Sequence, residues 1–142
     1  MRSALLSLFL ALSVLTLGAV AADARTVTVD TAPLAARGVP EYAAIIKAHA
    51  TPRLRAALAR APGGPITVRV KTILMPNLIG AAGYREPTDY LEAEVVTRDG
   101  RVMPLLITVS PTPGGLFSSR ATEAQRVRQL AEALVSWVVR YN

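Results

Sequence analysis

Polar and apolar residues alternate with a period of two in several short stretches and with a helical period in two longer ones. Thr26, Val27, Thr28, Val29 and Asp30 alternate with β-branched residues, which predicts a short first strand. Residues 32–38 read as a loop. Pro40 suits the first turn of a helix, and Glu41 complements the positive end of its dipole. Tyr42, Ile45, Ile46 and His49 then fall at i, i+3, i+4 and i+7 and form one stripe. Thr51-Pro52 predicts a kink or a full break, because proline removes a backbone hydrogen bond and clashes with the preceding turn. In the second case Thr51 caps, and Pro52 opens, a short helix through Arg60 with Leu54 and Leu58 inward. Ala61-Pro62-Gly63-Gly64-Pro65 ends the helical region.

Beyond it, Ile66, Val68, Val70 and Leu74 share one parity, with Thr67, Arg69 and Lys71 on the other: a half-buried strand with a basic outer face. Residues 76–88 read as a long loop. Leu91, Ala93 and Val95 face inward while Glu92 and Glu94 face out, and Asp99-Gly100 predicts a hairpin. The return strand over 101–109 sets Met103, Leu105, Ile107 and Val109 on one parity. Pro104 cannot donate to a ladder, so this strand belongs at an edge or carries a bulge. After a Pro/Gly/Ser loop over 110–119, Ser119 or Thr122 can cap a final helix. Val127, Leu130, Ala131, Leu134, Val138 and Tyr141 form its stripe, and Val135, Trp137 and Val139 widen the apolar arc. Such a helix is either well buried or uses a second face against a partner. The predicted fold is α+β: a single small mixed or antiparallel sheet of about four strands with helices packed on one face, ordered β-α(broken)-β-β-β-α.

The first residues behave differently. Arg2 is followed by an uncharged run with Leu5, Leu6, Leu8, Phe9, Leu10, Leu12, Val14, Leu15 and Leu17, then by Gly18 and the small-x-small pattern Ala19-Val20-Ala21. Residues 1–22 are therefore expected to be a cleavable secretory signal, cut near Ala21, with residues 23–142 as one α+β domain. Ala22-Asp23-Ala24 offers an alternative cleavage site, and the apolar run 4–22 would also just span a bilayer as an uncleaved anchor. The expected location is the periplasm or the medium. The chain has no cysteine, so stability outside the cytoplasm must come from a packed core, and lipid attachment at the signal junction is excluded. The net charge of the whole chain is +6.

Candidate chemistry is thin. His49 is the only histidine, so neither a triad nor a Cys–His pair is supported; at the expected helix end it would bond terminal carbonyls. Asp89, Glu92 and Glu94 are the one local carboxylate cluster. Glu92 and Glu94, on the face opposite Leu91, Ala93 and Val95, read most simply as solvated charges paired with Arg69 or Lys71, although two carboxylates on one face could divide acid and base work. The glycine-bearing loops lack phosphate-binding spacing, and no metal set or cofactor motif is present. The expectation is a non-enzymatic protein without a cofactor. Arg53, Arg55, Arg69 and Lys71 form a candidate anion patch, suited to an anionic lipid or glycan rather than to nucleic acid, for which aromatic residues are too few. Arg126, Arg128, Trp137 and Val139 on the last helix form a candidate surface for a protein partner.

The strand beginning Gly64-Pro65-Ile66-Thr67-Val68-Arg69-Val70, the strand Leu91-Glu92-Ala93-Glu94-Val95-Val96 with its Asp99-Gly100 turn, and the amphipathic helix over 122–141 together give a pattern of elements. In that pattern the chain resembles small bacterial envelope proteins, often lipoproteins, whose domain is similar to the N-terminal domain of the Tol-Pal component TolB. It departs from the lipoprotein members in having no cysteine. The resemblance implies an envelope-associated role in binding or assembly with an envelope protein as partner, and it transfers no site residues. The alternative expectation is a carrier of a small molecule or lipid, with a pocket between sheet and helices under a lid at residues 76–88 that includes Leu78, Ile79 and Tyr84.

Overall fold

The computed structural model describes residues 25–76, 88–110 and 120–142. The expected signal at 1–22, the lid residues Leu78, Ile79 and Tyr84, and the loop at 111–119 lie outside the described residues. Strand β1 (Val27–Asp30) is followed by helices α1 (Ala32–Ala36) and α2 (Pro40–Leu58), strands β2 (Ile66–Leu74), β3 (Asp89–Thr97) and β4 (Val102–Val109), and helix α3 (Arg120–Tyr141). The fold is α+β. The sheet order is β1-β2-β3-β4, with β1 parallel to β2 and the other pairs antiparallel. A parallel pair needs a crossover, and α1 with α2 supplies it.

Alternation decides which face of the sheet is covered. Val27, Val29, Ile66, Val68, Val70, Leu91, Ala93, Val95 and Ile107 are all at most 3% exposed. They meet Leu34 of α1, the α2 stripe Ala43, Ile46, Ala50, Leu54 and Leu58, and the α3 stripe Val127, Leu130, Ala131, Leu134 and Val138 in one cluster. Side-chain contacts align the two long helices: Tyr42 donates to Glu123 at 3.1 Å and His49 meets Glu132 at 2.7 Å. Both partners advance together along the chain, so α2 and α3 run parallel. Among the described residues no helix is long and apolar enough to cross a membrane.

Four local expectations are corrected. The helix does not break at Thr51-Pro52; α2 continues to Leu58. Pro52 points to solvent, as does Ala48, whose carbonyl loses its partner, so water can replace the missing bond. The apolar stripe crosses the proline without interruption and holds the helix together on its inner side. The separation into two helices lies upstream instead, where residues 32–36 were expected to be loop. There the backbone N–H of Ala32 donates to the Asp30 carboxylate at 3.0 Å and Ala35 N–H donates to the Thr31 carbonyl at 3.0 Å, which starts α1. In β2 the register slips between Val70 and Thr72, leaving Lys71 as an extra residue. Parity inverts there: Ile73 packs against the core while Leu74, expected inside, is 58% exposed. The stripe of α3 also ends one turn early, because Tyr141 is exposed.

The hairpin and the edge strand are as expected. Gly100 has φ +81°, Thr97 N–H donates to the Arg101 carbonyl, and β4 with Pro104 lies at the sheet edge.

Candidate functional site

Asp89 shares its parity with Leu91, Ala93 and Val95, so the strand that buries those three also buries the carboxylate, to 1% exposure. Arg126 stands one helical turn before Leu130, on the stripe of α3, and is buried as well. The two meet in a bidentate pair: Arg126 Nε donates to Asp89 Oδ2 at 2.8 Å, and Nη2 donates to Oδ1. Nη2 also donates to the Pro76 carbonyl at 3.3 Å. The Asp89 hydrogen bond, first among the causes, raises the Arg126 pKa further. Arg126 was expected on a partner surface; it is instead an internal strut joining the end of β2, the start of β3 and the start of α3. Its charge needed a partner once its helix position became a core position. The carboxylate cluster is divided by the same alternation, with Asp89 inside and Glu92 and Glu94 outside.

The candidate anion patch also separates. Arg53 and Arg55 lie on α2, on the covered side of the sheet, whereas Arg69 and Lys71 lie on the open side. Arg53 donates to the His49 carbonyl at 3.1 Å and meets Glu132 at 3.3 Å. Arg55 donates to the Val27 carbonyl at 3.3 Å. Arg69 bridges Glu94 at 2.8 Å and Asp30 at 3.3 Å, and Lys71 meets Glu94 at 3.3 Å. The Arg69 hydrogen bond holds the Glu94 carboxyl below the usual glutamate range, with Lys71 acting in the same direction. Each cation of the patch is therefore engaged by an acceptor, Arg69 and Lys71 sharing Glu94. His49, expected at a helix end, sits inside α2 and faces Glu132 across to α3. Tyr42 has its pKa raised, first by burial and then by its hydrogen bond to Glu123. Among the described residues no group of three metal-ligating side chains comes together.

Two accessible surfaces carry exposed apolar side chains. On α3, Trp137 is 38% exposed and stacks on Tyr141, with ring centroids 5.1 Å apart and planes 10° apart. The Arg140 guanidinium lies 5.8 Å from the Trp137 centroid. Val139 and Arg128 are exposed too, but the helical turn sets them on the side of α3 away from Trp137. On the open face of the sheet, Leu74 pairs with Tyr90 and Leu106 with Glu92. With Thr72 these side chains line a groove of about 300 Å³. Val102 adds a further exposed apolar side chain on the same face of β4. This surface was missed because β2 was read as keeping one parity throughout. The signal for it lies in Val102-Met103-Pro104-Leu105-Leu106-Ile107, where both parities are apolar, as in a strand covered on both faces. A second groove, of about 470 Å³, is lined by Arg25, Gly64, Pro65, Thr97, Arg98 and Asp99. Neither groove opens between the sheet and the helices. No protein-family model matches the chain, and no curated protein sequence matches it.

Proposed function

We infer that this protein is a non-enzymatic, exported binding module of the bacterial cell envelope, which docks an envelope protein on the open face of its sheet. The observation that carries this reading is the group Leu74, Tyr90, Val102 and Leu106, between 36% and 62% exposed on one face that no helix covers among the described residues. Apolar side chains gathered on one sheet face, with Glu92 beside Leu106 and the Glu94–Pro104 row between Leu106 and Val102, are the kind of surface that docks a partner. Export is supported by the apolar run at residues 4–17 with its small-residue junction, and the resemblance to envelope proteins points the same way. Absence of catalysis is supported by the dispersal of Asp89 from Glu92 and Glu94 and by the engagement of His49 with Glu132.

A photo-crosslinking residue at position 106, used in cells, tests the reading. One recurrent envelope protein should be captured, and Leu74→Ser should abolish the adduct while circular dichroism stays unchanged. Adducts that survive Leu74→Ser, or none at all, refute it. The groove favours one other reading, a carrier of a small apolar molecule, since its volume is at the low end of ligand pockets, roughly 300–1,000 Å³. An apolar compound recovered by solvent extraction of the purified protein, and lost with Leu106→Ser, would establish that instead.

A further inference from the structure

We propose that one end of the domain docks on an anionic lipid bilayer, through arginines and the Trp137–Tyr141 stack. The strand pairing gathers the start of β1, the start of β2, the end of β3 and the start of β4 at one end of the sheet. Arg25 precedes β1, Arg60 precedes β2, and Arg98 and Arg101 belong to the hairpin. The last turn of α3 reaches the same end, because Arg25 donates to the Asn142 carbonyl at 3.2 Å and to Asn142 Oδ1 at 3.1 Å. Arg140, Trp137 and Tyr141 come with it. Among the described residues the carboxylate at this end is Asp99, already paired with Arg101 at 2.9 Å. The opposite end is mixed, with Asp30, Glu41, Asp89 and Glu123 standing among its arginines.

Charge and chain path both select a bilayer as the occupant. Five arginines stand at this end against one side-chain carboxylate; Arg101 is engaged by Asp99 and Arg25 by Asn142, which leaves Arg60, Arg98 and Arg140 to meet a phosphate-rich surface. Exposed Trp and Tyr rings beside arginine suit the headgroup level, where one edge is apolar and the other wet. The chain path adds a positional argument. Arg25 is three residues beyond the apolar run 4–22, and three extended residues reach only about 10 Å. While that run occupies a membrane, this end of the domain is held at the membrane surface. The groove between Arg25 and Arg98 opens there as well. This surface is distinct from the sheet face and does not depend on a protein partner binding that face.

Trp137 is the only tryptophan in the chain, so its emission reports this end alone. The chain recovered from cells is mixed with phosphatidylcholine vesicles, with and without about 30% phosphatidylglycerol, the lipid that sets the surface potential. With the anionic vesicles the protein should float in a density gradient, and Trp137 emission should shift to the blue and be quenched by brominated acyl chains. At about 1 M salt, where charges are screened within about 3 Å, binding should be lost. Arg98→Ser combined with Arg140→Ser should weaken partitioning about thirtyfold, roughly fivefold for each charge near the surface. Unchanged emission and no flotation overturn the proposal. So does equal binding to neutral vesicles. Retained binding in the double arginine variant together with loss in Leu74→Ser/Leu106→Ser would assign the bilayer to the sheet face and overturn it too.

Discussion

Replacing Arg126 by methionine leaves the Asp89 carboxylate buried at 1% exposure with both of its guanidinium hydrogen bonds gone, and leaves the Pro76 carbonyl without that donor. Removing one member of a buried ion pair costs about 3–5 kcal/mol, because the remaining charge is neither solvated nor paired. A domain of this size is stable by only about 5–15 kcal/mol, so the loss is a large fraction of the total. In urea, with a dependence of about 1–3 kcal/mol per molar, the midpoint should fall by roughly 1–5 M, about 2 M at the centre of both ranges. The double variant Asp89→Leu/Arg126→Met removes both charges and fills the space with apolar atoms, which for buried pairs is often neutral or stabilising. It should recover most of the lost stability. Equilibrium unfolding followed by far-ultraviolet circular dichroism measures all three. A single variant that loses less than about 1 kcal/mol would mean that the pair is hydrated, against the burial described here. A double variant as unstable as the two single losses added together would mean that the pair is not what couples the two elements.

Three other outcomes are expected. Pro52→Ala restores a backbone donor to the exposed Ala48 carbonyl and should stabilise the protein by about 1–3 kcal/mol, read from the urea midpoint; no gain would mean that the helix has already relaxed around the ring. Gly100→Ala should cost about 1–2 kcal/mol from backbone strain alone, since a Cβ there meets nothing within 4 Å. An unchanged melting temperature would contradict the left-handed turn. Glu94 has its pKa lowered mainly by the Arg69 hydrogen bond, so its contribution is present at neutral pH and disappears as pH falls below about 4.5. Glu94→Gln should therefore be less stable than the parent at pH 7, the gap should shrink as pH falls through and below the ordinary glutamate range, and a gap that does not shrink in acid would refute the pairing.

Where alternation runs unbroken, the fold could be read from the chain alone. The residues of β3, the Asp99-Gly100 turn and the α3 stripe from Val127 to Val138 behave as their spacing demands, because each satisfies local and core preferences at once. Lys71 defeats the same reasoning: one extra residue in β2 moves Leu74 to the open face, and nothing local marks the slip. Pro52 misleads for a different reason. Its propensity cost is real, but the inner stripe holds the helix and solvent takes the freed carbonyl. The Asp89–Arg126 strut joins residues 37 positions apart, so no local pattern could pair them. Its halves were nevertheless visible as an aspartate on an inward parity and an arginine on an apolar stripe, each requiring a partner. The accessible surfaces were harder to read, since Trp137 stands out as a residue type whereas the open sheet face emerges only after β2 slips and β4 takes the edge.

The parallel helices carry a consequence for how the chain folds as it is made. Helix α3 is synthesised after everything it packs against, yet it supplies Val127, Leu130, Ala131, Leu134 and Val138 to the core and the arginine that neutralises Asp89. Until those residues emerge, the inner sides of β3 and β4 lack part of their cover and Asp89 has no counter-charge. Contacts such as that of Arg25 with Asn142, 117 positions apart, close last. A nascent chain of this kind keeps part of its apolar interior open until its final helix arrives, so completion of the core is a late, long-range event.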